Sequence, residues 1–152
     1  MEHTLETDFE IAQPLEKVFE FFADAANLQK ITPPELEIKI LTPLPLVMQR
    51  DALIEYQLKL FGVPYAWTSK ITGWQPPVCF VDEQQRGPFA RWVHLHAFEP
   101  TDTGARVRDV LRYKLPLPPF GQLAQPLVHW QLKRIFAYRQ KAILEALGSA
   151  SH

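Results

Sequence analysis

His94 and His96 stand two residues apart in the run Trp92-Val93-His94-Leu95-His96. In an extended strand that spacing sends both imidazoles to the same face. Imidazoles that share a face with a carboxylate can shuttle protons near neutral pH, ligate a metal ion, or orient the polar end of a bound molecule. Two acids, Asp82 and Asp109, sit in flanking segments that also alternate, and Tyr113 shares the parity of Asp109.

The segments around these residues set what they can reach. In the stretch Arg106–Lys114, Arg106, Arg108, Arg112 and Lys114 share one parity and belong in water, so Asp109 and Tyr113 point inward. By the same argument Trp92, His94, His96 and Phe98 point inward from Arg91–Phe98. Phe80, Asp82 and Gln84 point inward from Val78–Gln84, and Tyr65, Trp67, Ser69 and Ile71 from Tyr65–Trp74. Upstream, Thr4–Ile11 reads as a half-buried strand. Pro14 opens a helix with Val18, Phe19 and Phe22 on its apolar stripe, and Asp24 caps a short helix over Ala25–Ile31 that Pro33-Pro34 stops. Leu36–Ile40 and Leu53–Leu60 alternate again, and Phe61-Gly62-Val63-Pro64 makes a hairpin turn. Leu127, Val128, Leu132, Ile135, Phe136, Ile143, Leu144 and Leu147 recur at helical spacing, placing a long helix from about Gln122 or Pro126 to Leu147, with Gly148 as its stop. The expected fold is α+β: a seven-stranded curved antiparallel sheet around a long C-terminal helix, with two short helices after the first strand. Residues 1–148 form one domain and 149–152 a tail.

Composition bounds the function. The chain has 152 residues, 47% hydrophobic and 22% charged, and a net charge of -1, the balance of a globular domain and not of a disordered tail. A pI near 6.5 removes the simplest case for nucleic-acid binding. The first 80 residues hold 6 basic and 11 acidic groups and the rest 10 and 6, which reads as two solvated faces. The basic stripe on Arg106–Lys114 is read the same way. One cysteine, Cys79, excludes an internal disulfide and a cysteine-based zinc site and fits a reducing cytoplasm. No signal peptide is expected, and the uncharged stretch Leu115–Leu132 is too interrupted by proline to span a bilayer as a helix.

Asp82, Gln84, His94, His96, Asp109 and Tyr113 therefore share one inner face. Each buried polar group left unpaired costs about 1–3 kcal/mol, more for a charge. Two readings stand. A cavity would let water or ligand satisfy them, which the size of the cluster favours. Alternatively a closed network, such as His96 to Asp109, braces the sheet. In an up-and-down meander the turns carrying Phe61, Phe89 and Phe120 share one end, where they form an apolar cavity entrance or plug that end as ordinary core. A metal held by the histidines with Asp109 or Asp82 lacks a further histidine on that face, His129 being remote on the helix, so no metal is expected. No nucleophile is marked at Ser69 or Cys79, and no glycine-rich phosphate loop or dinucleotide fingerprint occurs.

The order of elements and the stretch Phe80-Val81-Asp82-Glu83-Gln84, Gly87-Pro88-Phe89, Trp92-x-His94-x-His96-x-Phe98, Asp109-x-x-x-Tyr113-x-x-Pro116 and Ile135-Phe136-x-Tyr138-Arg139 resemble the SRPBCC superfamily, in particular its small bacterial polyketide cyclase/dehydrase-like branch. The resemblance implies a helix-grip fold with a deep cavity and a hydrophobic or amphipathic ligand. On that reading Trp67, Phe80, Trp92 and Leu127 supply apolar wall, while Asp82, Gln84, His94, His96, Asp109 and Tyr113 orient the polar end. The rival is a cofactor-free cyclase, dehydratase or hydrolase with His94 or His96 as base, Asp109 as its orienter and Tyr113 as proton donor. A third reading is an accessory module that presents a surface to a protein or membrane. No cofactor and no nucleic-acid partner are expected, membrane contact would be transient, and the expected compartment is the cytoplasm.

Overall fold

Alternation in the first segment produces β1 (Glu2–Ile11), with Leu5, Phe9 and Ile11 buried and Glu6 and Glu10 in water. The computed structural model describes residues 1–117 and 120–148; the side chain of Phe120 and the tail 149–152 lie outside the described set. Helix α1 (Leu15–Ala23) follows, with Pro14 directly before its first turn. Asp24 Oδ1 accepts from the Ala26 N–H at 3.0 Å, so the expected cap forms, but it starts only a single 3-10 turn, Ala25–Leu28. That turn closes early because tight i→i+3 bonding rarely runs beyond one turn and the Thr32 hydroxyl donates to the Leu28 carbonyl at 2.6 Å. The strand expected over Leu36–Ile40 shrinks to β2 (Lys39–Ile40). Pro34 begins a second 3-10 turn, Pro34–Leu36, and Glu37 then takes a left-handed φ of 45°, which breaks the extended run.

The remaining strands are β3 (Leu53–Leu60), β4 (Val63–Gln75), β5 (Cys79–Arg86), β6 (Arg91–Thr101) and β7 (Gly104–Lys114). Among the described residues they give one seven-stranded antiparallel sheet in the order β1-β7-β6-β5-β4-β3-β2. The β3–β4 hairpin turns on Phe61 and Gly62, both at positive φ (52° and 77°), the pairing that matches strand twist in a two-residue turn. Two register shifts in β4, at Thr68/Ser69 and Ile71/Gly73, bend the sheet into a concave surface. Gly104 starts β7 where no side chain fits, since a Cβ would collide with the Ile11 carbonyl oxygen and approach the Gln13 nitrogen within 2.8 Å.

Helix α2 (Phe120–Leu147) starts ahead of the expected Gln122 or Pro126, with Pro126 inside it. Gln13 Nε2 donates to the Leu147 carbonyl at 2.7 Å, satisfying an end carbonyl that has no helical partner and docking the helix on the β1–α1 connection. No helix among the described residues is long and apolar enough to cross a membrane.

The core divides into two apolar clusters. Phe9, Val18, Phe19, Phe80, Phe98, Val107, Ile143 and Leu147 form one. Leu5, Leu58, Trp67, Phe89, Leu111, Leu132 and Phe136 belong to the other. On β6 the histidines fall between Trp92 and Phe98; on β7 Asp109 falls between Val107 and Leu111; on α2 Arg139 falls between Phe136 and Ile143. Polar side chains thus occupy the layer between two greasy ones. On the outer face, Arg106 meets Glu10 at 3.1 Å and Arg108 meets Glu6 at 3.5 Å across β1–β7. The Arg106 and Arg108 part of the basic stripe is paired with cross-strand acids.

Candidate functional site

Register brings the polar layer together. Asp82 lies opposite His94 across β5–β6, and His96 opposite Asp109 across β6–β7. The short bonds run on the diagonals instead: His96 Nε2 to Asp82 Oδ2 at 2.6 Å and His94 Nε2 to Asp109 Oδ1 at 2.7 Å. The two imidazoles stack with centroids 3.7 Å apart, so each carboxylate also approaches the other ring: His94 Nδ1 lies 3.9 Å from Asp82 Oδ2, and His96 Nδ1 lies 3.5 Å from Asp109 Oδ1. Phe80 stacks on His96 at 4.2 Å. From α2, Arg139 Nη2 donates to His96 Nδ1 at 3.3 Å and stands 3.8 Å from Asp109 Oδ1. The Thr7 hydroxyl, from β1, donates to Asp109 Oδ2 at 3.3 Å.

These contacts fix charge states. Burial alone would raise the Asp82 carboxyl, but the hydrogen bond and charge of His96, with the charges of His94 and Arg139, hold it below its ordinary range. Burial works against Asp109 in the same way and is overcome by Arg139, then by His94, leaving that carboxyl well below the usual carboxylate range. Burial, and next the charge of His94, push His96 down to about 4 against the pull of Asp82. His96 is therefore neutral at pH 7. Its Nε2 carries the proton toward Asp82 and its Nδ1 accepts from Arg139. Burial and the Asp82 charge hold the Tyr56 hydroxyl above its usual range, against a hydrogen bond with Ser69.

The layer opens on a cavity of about 180 Å³ enclosed by the sheet, α2, α1 and the 3-10 turns. Its polar end is Asp82, His94, His96, Arg139, Tyr56 and Ser69; Trp67, Phe80, Trp92, Ile135 and Phe136 are among its apolar walls. Trp67 Nε1 donates to Ser69 Oγ at 3.1 Å, which settles the indole inside that wall. Asp109 does not line the cavity. It stands behind the histidines, 3% exposed against 19% for Asp82.

Other expected site residues fall elsewhere. Gln84 spends both ends of its amide on the Phe89 backbone, donating at 2.7 Å and accepting at 3.1 Å, and so braces the β5–β6 turn. The Tyr113 hydroxyl accepts from Gln125 at 3.3 Å and bonds His129 Nδ1 at 2.9 Å, away from His94 and His96. Burial raises this phenol, against the Gln125 bond. The single His–Asp–Tyr triad therefore does not assemble. Leu127 is 55% exposed on the outer side of α2, because the inward stripe runs through Val128, Leu132, Ile135 and Phe136. Of the expected entrance, Phe61 is exposed and Phe89 is buried, both against a neighbouring apolar cleft; the Phe120 side chain lies outside the described residues. Sequence reading gives Arg139 no role, although its spacing from Leu132, Ile135 and Phe136 puts a cation on the inward stripe. Tyr56 reads from sequence only as part of a strand.

Asp82, His94 and His96 each offer one donor atom, and these atoms lie within 4.8 Å of one another.

A family model described as "Polyketide cyclase / dehydrase and lipid transport" matches residues 11–136. No curated protein sequence matches the chain. Among solved structures, the Zhui aromatase/cyclase from Streptomyces sp. R1128 is similar with a TM-score of 0.75 at 18% identity, over 96% of this chain and 93% of that one. A START superfamily protein from Mycobacterium smegmatis is similar with a TM-score of 0.71 at 15% identity, over 97% and 99%. A protein from Thermus thermophilus is similar with a TM-score of 0.68 at 22% identity, over the whole of both chains. At these identities the likeness is one of fold.

Proposed function

This chain belongs to the polyketide cyclase / dehydrase and lipid transport family, and from that premise we propose that it binds a small amphipathic molecule without covalent chemistry. The observation that carries the proposal is the cavity: about 180 Å³, mostly apolar in lining, with Asp82, His94, His96 and Arg139 gathered at one place in it. An apolar cavity of about 150 Å³ holds benzene, so in this conformation the site fits one ring or a short chain. The polar end sets the ligand's head. Arg139 Nε is buried without a hydrogen-bond partner and offers a donor to a carbonyl or hydroxyl oxygen. Asp82 offers an acceptor to a hydroxyl. Transport, sequestration and sensing are all served by such a site, and a cytoplasmic location, consistent with the lone Cys79, is part of the proposal.

A cyclase- or dehydratase-type reaction has one observation in its favour, the Asp82–His96 pair that opens on the cavity. Two others weigh against it. Both His96 nitrogens are engaged, and an imidazole at about 4 is a weak base at neutral pH. Binding is the preferred reading.

Trp67 and Trp92 line the cavity and serve as reporters. Titration with 4-ethylphenol, indole and octanoate, followed by tryptophan fluorescence and calorimetry, should give saturable one-site binding for at least one probe. Leu58→Trp, which fills the cavity from β3, should abolish it. Absence of saturable binding to the wild type, or binding untouched by Leu58→Trp, would sink the proposal. Chromatography of the equilibrated mixtures shows in the same samples whether any probe is turned over.

A further inference from the structure

We infer that Asp82, His94 and His96 form a site for one divalent first-row transition metal ion of the zinc(II) or iron(II) class, facing the cavity. The inference rests on the geometry of the layer and not on the identity of any organic ligand.

Three observations meet. The first is the donor set: two imidazoles and one carboxylate converge from β5 and β6, with Asp82 Oδ2 at 2.6 Å from His96 Nε2 and 3.9 Å from His94 Nδ1. Bonds of about 2.0–2.1 Å in a tetrahedral shell place donors about 3.3 Å apart. One of these separations is shorter and the other longer, so a shift of the Asp82 carboxyl toward His94 brings both close to that value. Imidazole donors favour transition metals over magnesium or calcium, which prefer all-oxygen shells.

The second is the support behind the donors. A metal-bound imidazole needs its other nitrogen protonated and held. His94 Nε2 already meets Asp109 Oδ1 at 2.7 Å, and His96 Nδ1 lies 3.5 Å from the same oxygen. One buried carboxylate thus stands behind both rings, on the side away from Asp82. With His96 turned to the metal through Nε2, its proton moves to Nδ1 and faces Asp109. Arg139, now bonded to Nδ1, is 3.8 Å from Asp109 and can bond there instead. The third is charge: two carboxylates face one guanidinium in this layer, leaving an excess of negative charge for a cation to neutralise. Three protein ligands leave at least one coordination position open toward the cavity, where a ligand oxygen would sit.

The test uses the full chain, stripped with chelator and titrated with Zn²⁺ by calorimetry and with Co²⁺ by visible absorption. The expected result is one equivalent, with Co²⁺ d–d bands typical of low coordination number. Asp82→Asn and His94→Ala should each weaken binding by more than about 100-fold, and Asp109→Asn by about 10–100-fold through the outer shell. His3→Ala and His129→Ala should change nothing. Should the His94 variant fail to fold, the near-isosteric Asp82→Asn and the paramagnetically shifted imidazole N–H signals of the wild-type Co²⁺ form still decide. No saturable uptake by the wild type overturns the inference. So does uptake that survives Asp82→Asn, or Co²⁺-shifted signals that arise from His3, His129 or His152.

Discussion

Acid should destabilise this protein over two pH ranges of different origin, the first of them from His96. Folded, His96 titrates at about 4; unfolded, at its ordinary 6.5. Between those values the unfolded chain holds one proton more than the folded chain. Stability therefore falls as pH drops through that window, at most about 1.4 kcal/mol per pH unit. Integrated from pH 7 to pH 5, one such group removes about 2 kcal/mol, a large share of the 5–15 kcal/mol typical of a domain. His96 is almost wholly inaccessible, so solvent screening does not reduce the figure. Asp82 and Asp109 act lower down. Their folded-state values are depressed, so what they contribute is present above the ordinary carboxylate value of 3.8 and is lost as pH falls below it. The assay is urea unfolding of chelator-treated protein, followed by tryptophan fluorescence at half-unit steps from pH 7.5 to 4.5. His96→Gln keeps a donor near Asp82 but cannot titrate. That variant should start about 1–2 kcal/mol less stable and show a markedly flatter slope between pH 7 and 5. Equal slopes in wild type and His96→Gln would refute the reasoning.

Arg139→Met should cost about 3 kcal/mol in urea unfolding, because it leaves the buried Asp109 carboxylate without its guanidinium and removes a charge that also holds Asp82 down. It should also flatten the loss of stability between pH 7 and 5, since without the Arg139 charge the folded-state value of His96 moves back toward its ordinary 6.5; an unchanged slope would remove Arg139 from the network. Phe136→Ala should lose about 3–5 kcal/mol as a buried aromatic, while Leu127→Ser, on the exposed side of the same helix, should stay within about 0.5 kcal/mol. Equal losses at the two positions would contradict the orientation of α2. Gly104→Ala should destabilise by more than about 2 kcal/mol, because its Cβ meets backbone atoms of Ile11 and Gln13 that have no room to yield; thermal unfolding would detect it.

Strand parity carries most of this structure. Charged residues at Arg106, Arg108, Arg112 and Lys114 fix which side of β7 is wet, and Asp109 follows onto the inner face without further assumption. The same rule places His94, His96 and Asp82. What parity cannot supply is position along the sheet's curve and partner choice on the diagonal. Parity pairs Asp109 with His96, directly opposite; ring stacking of His94 on His96 lets the shorter bond go to His94. Tyr113 shares a face with Asp109 yet lies two full alternations further along β7, beyond Leu111, where α2 presents His129 and Gln125. Leu127 misses the cavity for a related reason: a one-residue error in helical phase rotates a side chain by about 100°. Gln84 shows a third limit, because a nearby turn with free backbone groups claims an amide before a cavity can.

The placement of the polar layer argues about purpose. A buried ionic network rarely stabilises relative to apolar side chains of similar volume, which are often neutral or better by about 1–4 kcal/mol. Two apolar clusters already flank this layer and supply the core. An apolar layer between them would join the two into one, with no ionised side chain to desolvate. Stability therefore does not explain Asp82, His94, His96, Asp109 and Arg139. Their arrangement is graded by access instead: Asp82, His94, His96 and Arg139 line the cavity, while the buried Asp109 stands behind them, held by His94 and by the Thr7 hydroxyl. That order supports the proposed roles: Asp109, behind the rings, would position the histidines, and Asp82, bonded to His96 at the cavity edge, would meet what enters.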